Sequence, residues 1–151
     1  MWKKIAILSF VTWFGTISFL GYKVYFGNAV QVDDRIEMSL APEERELVLG
    51  EMRVLLEGLQ GIISALASGN FKEVEIAARG NGMIMAQDIN PALMTKLPMD
   101  FKEMGLGVHK AFDDIANNIQ GKNTKQILSE IDDIMTSCIA CHTTYKITEK
   151  K

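Results

Sequence analysis

Cys138-Ile139-Ala140-Cys141-His142-Thr143-Thr144-Tyr145-Lys146 holds both cysteines of the sequence and one of its two histidines. Cys-x-x-Cys-His is the attachment signature of a c-type haem. Two thiols three residues apart on a helical turn can add to the two vinyl groups on one porphyrin edge. The adjacent imidazole is then held close enough to ligate the iron, and the tether keeps the cofactor in place on reduction. Three other chemistries use similar residues. A dithiol redox motif sits at the start of a helix after a strand, and no strand pattern precedes Cys138. Structural zinc takes four Cys/His ligands, and His109 is the only further candidate. A disulfide here would close a small loop and stabilise little.

Outward from the motif, Ile127, Ile131, Ile134, Cys138, Cys141 and Tyr145 alternate spacings of four and three. That is one face of an amphipathic helix starting near Thr124, with both cysteines on its buried seam. The preceding helix opens after Pro98 with the seam Phe101, Gly105, Val108, Phe112, Ile115 and Ile119, and Gly121-Lys122-Asn123 ends it. A further helix is expected over Phe71 to Ala86, weakened by Gly80 and Gly82, followed by a loop from Asn90-Pro91 to Leu97-Pro98. The first of the set starts at Ala41-Pro42-Glu43-Glu44, with Pro in the first turn and carboxylates at the positive end of the dipole. Its stripe is Val48, Met52, Leu55, Leu59, Ile62 and Leu66, widened by Leu49, Leu56 and Ile63, and Ser68-Gly69-Asn70 stops it. Four such helices, short connections and no strand candidates predict an all-α domain over residues 42–148. Its architecture is an antiparallel up-down four-helix bundle.

Residues 1–29 read differently. Lys3 and Lys4 precede an uncharged run from Ile5 to Tyr22, closed by Lys23. A positive segment before an apolar one is an export signal, and export suits thioether haem attachment outside the cytoplasm. Gly27-Asn28-Ala29 has the small residues a signal peptidase needs, cutting before Val30. The 18-residue run is longer than the ~7–15 residues of an ordinary signal core and reaches the lower limit for a spanning helix. Trp2, Tyr22, Tyr25 and Phe26 flank it as interfacial anchors do. The expectation is a retained single-pass anchor on the periplasmic side of the membrane, with a cleaved signal and a free periplasmic protein as the alternative. Residues 30–41, polar and acidic, are expected to be a tether. Beyond residue 23 the chain has 13 basic and 19 acidic residues, a net −6. Nucleic acid requires a basic footprint and is excluded as a partner.

Depth along an up-down bundle counts from a shared end. His142 lies 18 residues into its helix from Thr124, and the same count back from Ser68 reaches Gly50, within a register tolerance of ~5 Å. Leu49 and Met52 are thus the residues able to face the iron. Only Met52 carries a ligand atom, a soft thioether of the kind that raises a haem's reduction potential. The same count puts Phe101, Met104, Gly105 and Gly107 beside the haem, with Met85 on the second helix. His109 falls off the main seam and is expected to be a surface or partly satisfied histidine.

Taken together, the Cys138-Ile-Ala-Cys141-His142-Thr-Thr-Tyr145-Lys146 motif, the helical pattern before it and Pro98-Met-Asp-Phe101 resemble the cytochrome c′ family, the class II c-type cytochromes, over about residues 40 to 148. The resemblance implies His142 as proximal ligand, Cys138 and Cys141 as thioether attachments, and Tyr145 packed beside the haem. Lys146 stands where that family more often has Arg. One branch of the family is six-coordinate, with a first-helix Met, and suits electron transfer. The other is five-coordinate, with an apolar residue over the iron, and binds nitric oxide or carbon monoxide. Arg45 followed by Leu49 echoes the second; Met52 fits the first. The family often dimerises through its first two helices, so a homodimer is one arrangement the resemblance allows. The expected function is a monohaem c-type cytochrome that passes single electrons between redox partner proteins and turns over no substrate. Its one covalent haem c would be ligated by His142 and Met52. The alternatives are the gas-binding five-coordinate protein and a haem-free helical interaction module.

Overall fold

The structure is a computed structural model that describes residues 2–87 and 90–150. It opens with α1 (Trp2–Phe26), none of whose side chains is buried. At 1.5 Å per residue its 25 residues span about 37 Å. It is long and apolar enough to cross a membrane.

Residues 30–41, expected as a tether, are instead mostly strand. β1 (Ala29–Val32) and β2 (Arg35–Leu40) pair antiparallel, and β3 (Tyr145–Glu149) pairs parallel to β2, from Ile36 against Tyr145 to Leu40 against Glu149. The turn is made by Asp33 and Asp34. Asp33 has φ 56°, and its Oδ1 accepts from the Arg35 amide at 2.9 Å, a local bond that lets an Asp occupy the left-handed region. Alternation is what β2 encodes: Met38 and Leu40 are each 1% exposed and Ile36 is half-buried, so residues two apart face the core. The all-α expectation thus holds in its main part, and the sheet is an addition to it. The protein is mostly helical with a small three-stranded sheet.

α2 (Pro42–Ala67) begins as the sequence indicates. Pro42 is in its first turn, and Glu44 reaches back to accept from the Ala41 amide at 3.2 Å. Gly69 at φ +69° takes the chain out beyond the Ser68 cap. Val48, Leu59, Ile62 and Leu66 are buried as expected, with Met52 and Leu55 half-buried. Leu56 (67% exposed) and Ile63 do not widen the buried stripe.

α3 (Phe71–Gly80) stops six residues short of the expected end, and a 3-10 turn follows over Met83–Ala86. The break has a physical cause. The Asn81 side-chain amide folds back onto the Ala77 carbonyl at 2.8 Å, and Asp113 takes the Met83 amide at 2.9 Å. Gly82 lies so close to the Asp113 carboxylate that a Cβ would collide with it. A single turn, α4 (Pro91–Met94), occupies the expected loop. α5 (Met99–Asn117) and α6 (Thr124–Thr144) follow the sequence reading, α6 opening on a reciprocal Asn123–Gln126 capping box. α6 ends at Thr144, and Tyr145, expected on its seam, is extended and starts β3.

Two apolar clusters hold these elements together. The larger draws Ile62 from α2, Val74 from α3, Phe112 and Ile115 from α5, and Ile127 and Ile134 from α6. Fully burying each such side chain is worth about 1.5–3 kcal/mol. The smaller lies against the sheet and joins Met38, Leu40, Val48, Leu93, Phe101 and Tyr145.

Candidate functional site

The last two turns of α6 run along the border between the two clusters. Cys138 packs against the larger and Cys141 against the smaller. Both are free, half-buried thiols. Burial pushes both thiol pKa values up, and for Cys141 the neighbouring Cys138 adds to the rise. The thiols also stand at the negative end of the helix dipole, which disfavours a thiolate. Protonated thiols at a helix C-terminus are the reverse of the activated dithiol of a redox motif. Among the described residues no three His, Cys, Asp or Glu side chains converge enough to hold a metal ion by themselves, so His109 does not complete a zinc set.

His142 is exposed and lines a cavity of about 270 Å³ with Leu49, Met52, Phe101, Cys141 and Tyr145. Met52, Phe101 and Cys141 also line a second space of about 80 Å³, which extends towards Gly105 and His109. Helix periodicity on α2 and α6 therefore brings the expected Met52, Cys141 and His142 to one place. Leu49, the apolar alternative over the iron, is there as well. Gly105 borders the smaller space, and a Cβ on it would meet nothing within 4 Å. Met104 is half-buried in the smaller cluster, and Gly107 faces open space. Met85 lines neither of these spaces: it lies on a neighbouring groove with Leu47 and Arg53, because the early end of α3 redirects the chain before it.

The sheet contributes Arg35 and Ile147, which the sequence did not reveal, and carries Lys146, which the resemblance sets near His142. Arg35, from β2, and Lys146 and Ile147, from β3, line the larger cavity. Tyr145 meets Phe101 edge-on, with ring centroids 5.4 Å apart and an 82° interplanar angle, a favourable quadrupole arrangement. Burial, with Asp100 and Cys141 adding, raises the Tyr145 phenol pKa. Lys146 is bonded to Asp33 at 2.7 Å and faces Glu37 at 3.5 Å. Asp33 first of all raises the Lys146 pKa, and Lys146 in turn lowers that of Asp33. The Lys146 ammonium is thus held and largely offset by carboxylates from the β1–β2 hairpin.

His109 is the clearest departure from the sequence reading. It is 4% exposed, with Nδ1 at 2.8 Å from the Asn81 carbonyl. A carbonyl only accepts, so Nδ1 carries the proton. Nε2 faces the Glu51 carboxylate at 3.7 Å, beyond hydrogen-bonding distance but close enough for strong attraction. Glu51 raises the His109 pKa above its usual 6.5; burial opposes the rise, and the Asn81 carbonyl and the Glu51 and Asp113 charges reinforce it.

The donor set fits a thioether-linked haem: two neutral thiols three residues apart, an accessible imidazole beside the second, a thioether across the cavity, and mostly apolar walls on both sides of Cys141. Comparison of the chain with known protein families, with curated proteins and with solved structures finds no match in any of the three.

Proposed function

We propose that the protein is a monohaem c-type cytochrome that carries single electrons outside the cytoplasmic membrane, anchored by α1. On this reading α2, α3, α5 and α6 form the antiparallel up-down bundle of the cytochrome c′ type that the sequence resembles. The observation that carries it is the meeting of Cys141, His142 and Met52 around one cavity. Bound there, a haem supplies one-electron exchange, with its potential set by axial ligands, burial and solvent access. Cys138 and Cys141 hold it covalently, and His142 ligates from the side of α6. Met52 presents its sulfur from α2. Phe101 and Tyr145 exclude water from the apolar wall. Lys3 and Lys4 on one side of α1 orient the domain to the periplasmic side by the positive-inside tendency. Redox proteins are the partners this reading implies.

A second reading keeps the haem but leaves the iron five-coordinate under Leu49, for nitric oxide or carbon monoxide binding. It draws on one observation: Leu49 lines the same cavity as His142. The visible spectrum of the reduced protein under carbon monoxide separates them. The His/Met reading expects sharp low-spin α and β bands that carbon monoxide leaves unchanged. High-spin bands that shift on carbon monoxide addition would replace it with the five-coordinate one.

A further inference from the structure

The junction between α1 and the domain is built like part of the core. Gly27 is buried at φ +62°, a conformation that side chains rarely adopt, and a Cβ on it would collide with the backbone of Lys96 and Leu97. The next amide, of Asn28, donates to the Lys96 carbonyl at 2.8 Å. Lys102 from α5 reaches back to the Val24 carbonyl in the last turn of α1 at 3.0 Å and to the Met94 carbonyl at 3.2 Å. Lys23 holds the Asn28 side chain at 2.8 Å. The Val24 carbonyl, one of those left free at the end of α1, thus finds a partner in the domain itself. From Asn28 the chain enters β1 directly, and the sheet runs β1–β2–β3 to the end of α6. α1 is thus joined to the cysteine-bearing helix through hydrogen-bonded strands.

Depth follows from counting. The uncharged run ends at Tyr22 and the seat is at Gly27, about five residues or ~7 Å further along. The headgroup layer outside the hydrocarbon core is about that thick, so Lys96, Leu97 and α4 lie at headgroup level when α1 spans. Lys96 is paired with Glu44 at 2.5 Å. Among the described residues Lys23 and Lys102 meet only neutral oxygens, of Asn28 and of Val24 and Met94, which leaves two cations suited to anionic lipid phosphates at a membrane surface. Met94, Leu97 and Lys102 also line the smaller cavity beside Cys141.

We propose that α1 is a rigid stalk seated in the domain, and that α4 with the turn into α5 rests on anionic lipid headgroups, holding the candidate haem cavity at the membrane surface. The proposal rests on α1 being the membrane anchor but not on the haem, whose presence is read independently from the visible spectrum. Its test is amide hydrogen exchange of the full chain in nanodiscs of neutral and of anionic lipid. Wild type is expected to exchange over residues 91–98 about tenfold more slowly on anionic discs than in detergent, the factor that roughly 1.4 kcal/mol of added closure gives. The 118–123 turn should not change. Gly27→Val should abolish that protection while α1 stays inserted. So should a short Gly/Ser insertion between Phe26 and Gly27, which leaves Gly27 and Asn28 against Lys96 and Leu97 and uncouples only α1 from them. Equal exchange over 91–98 in detergent and on both lipids, unchanged protection in both variants, or a mature chain beginning at Val30 would each overturn it.

Discussion

Replacing His109 by Leu tests the buried polar group that sequence reasoning missed. The substitution deletes the Nδ1–H donor to the Asn81 carbonyl and leaves that buried oxygen and the Glu51 carboxylate facing an apolar side chain. Asn81 is already poorly served, since its Oδ1 has no hydrogen-bond partner among the described residues. The cost depends on pH. His109 is held above its ordinary 6.5 in the folded state, chiefly by Glu51. The stabilisation from its charge is therefore fully present below about pH 6.5 and is lost as pH rises through the higher folded value. Below that window the bond to Asn81 is charge-assisted and its loss costs about 1.5–3 kcal/mol; above it a neutral imidazole still donates, and the loss falls to about 0.5–1.5 kcal/mol. Urea unfolding of wild type and His109→Leu, followed by far-ultraviolet circular dichroism of the full chain in detergent at about pH 5.5 and about pH 8.5, measures the difference directly. A penalty independent of pH, or one that grows as pH rises, would refute the assignment of Glu51 and Asn81 as the groups governing this histidine.

Met52→Ala should remove the low-spin bands of the reduced spectrum, and Met38→Ala, buried in the smaller cluster away from the cavity walls, should not. A double-mutant cycle between Phe101→Leu and Tyr145→Leu should return a coupling of about 0.5–1.5 kcal/mol, the worth of the edge-on ring pair; zero coupling would mean the rings do not bear on one another. Gly58→Ala drives a Cβ into the Asn81 side chain and should lower stability by about 1–3 kcal/mol. Gly105→Ala meets open space and should stabilise the haem-free chain by about 0.5–1 kcal/mol. In the haem-loaded protein that gain should disappear, because the added methyl would occupy room beside the cofactor.

The helical part of the fold was legible because its seams are long and regular. Seven residues separate Leu59 from Leu66, and Phe112 from Ile119, and each set lands in one core. The boundaries of α2 and α6 followed from local chemistry at Pro42, Glu44, Asn123 and Gln126 that needs no distant partner. The sheet was hidden for the opposite reason. The alternation of Ile36, Met38 and Leu40 is short and set among charges, and of its two partners one is the four-residue β1 and the other lies more than a hundred residues on. Tyr145 satisfies both patterns, four residues after Cys141 on a helix and first in a strand, and only the pairing with Ile36 decides between them. The burial of His109 is a consequence of α3. A helix running on to Ala86 would engage the Asn81 carbonyl internally, whereas the break at Gly80–Gly82 frees it to bind the imidazole. The meeting of Cys141, His142 and Met52 at one cavity was readable from spacing and depth. Arg35 and Ile147 were not, since their place at the cavity depends on the sheet.

Intact-mass measurement of the chain matured in a host competent for c-type haem attachment bears most directly on the account. The thiols of Cys138 and Cys141 are expected to be consumed, and the mass to equal that of the polypeptide plus one haem, surviving denaturation. A denatured mass equal to the polypeptide alone, with both thiols still free to alkylate, would contradict it.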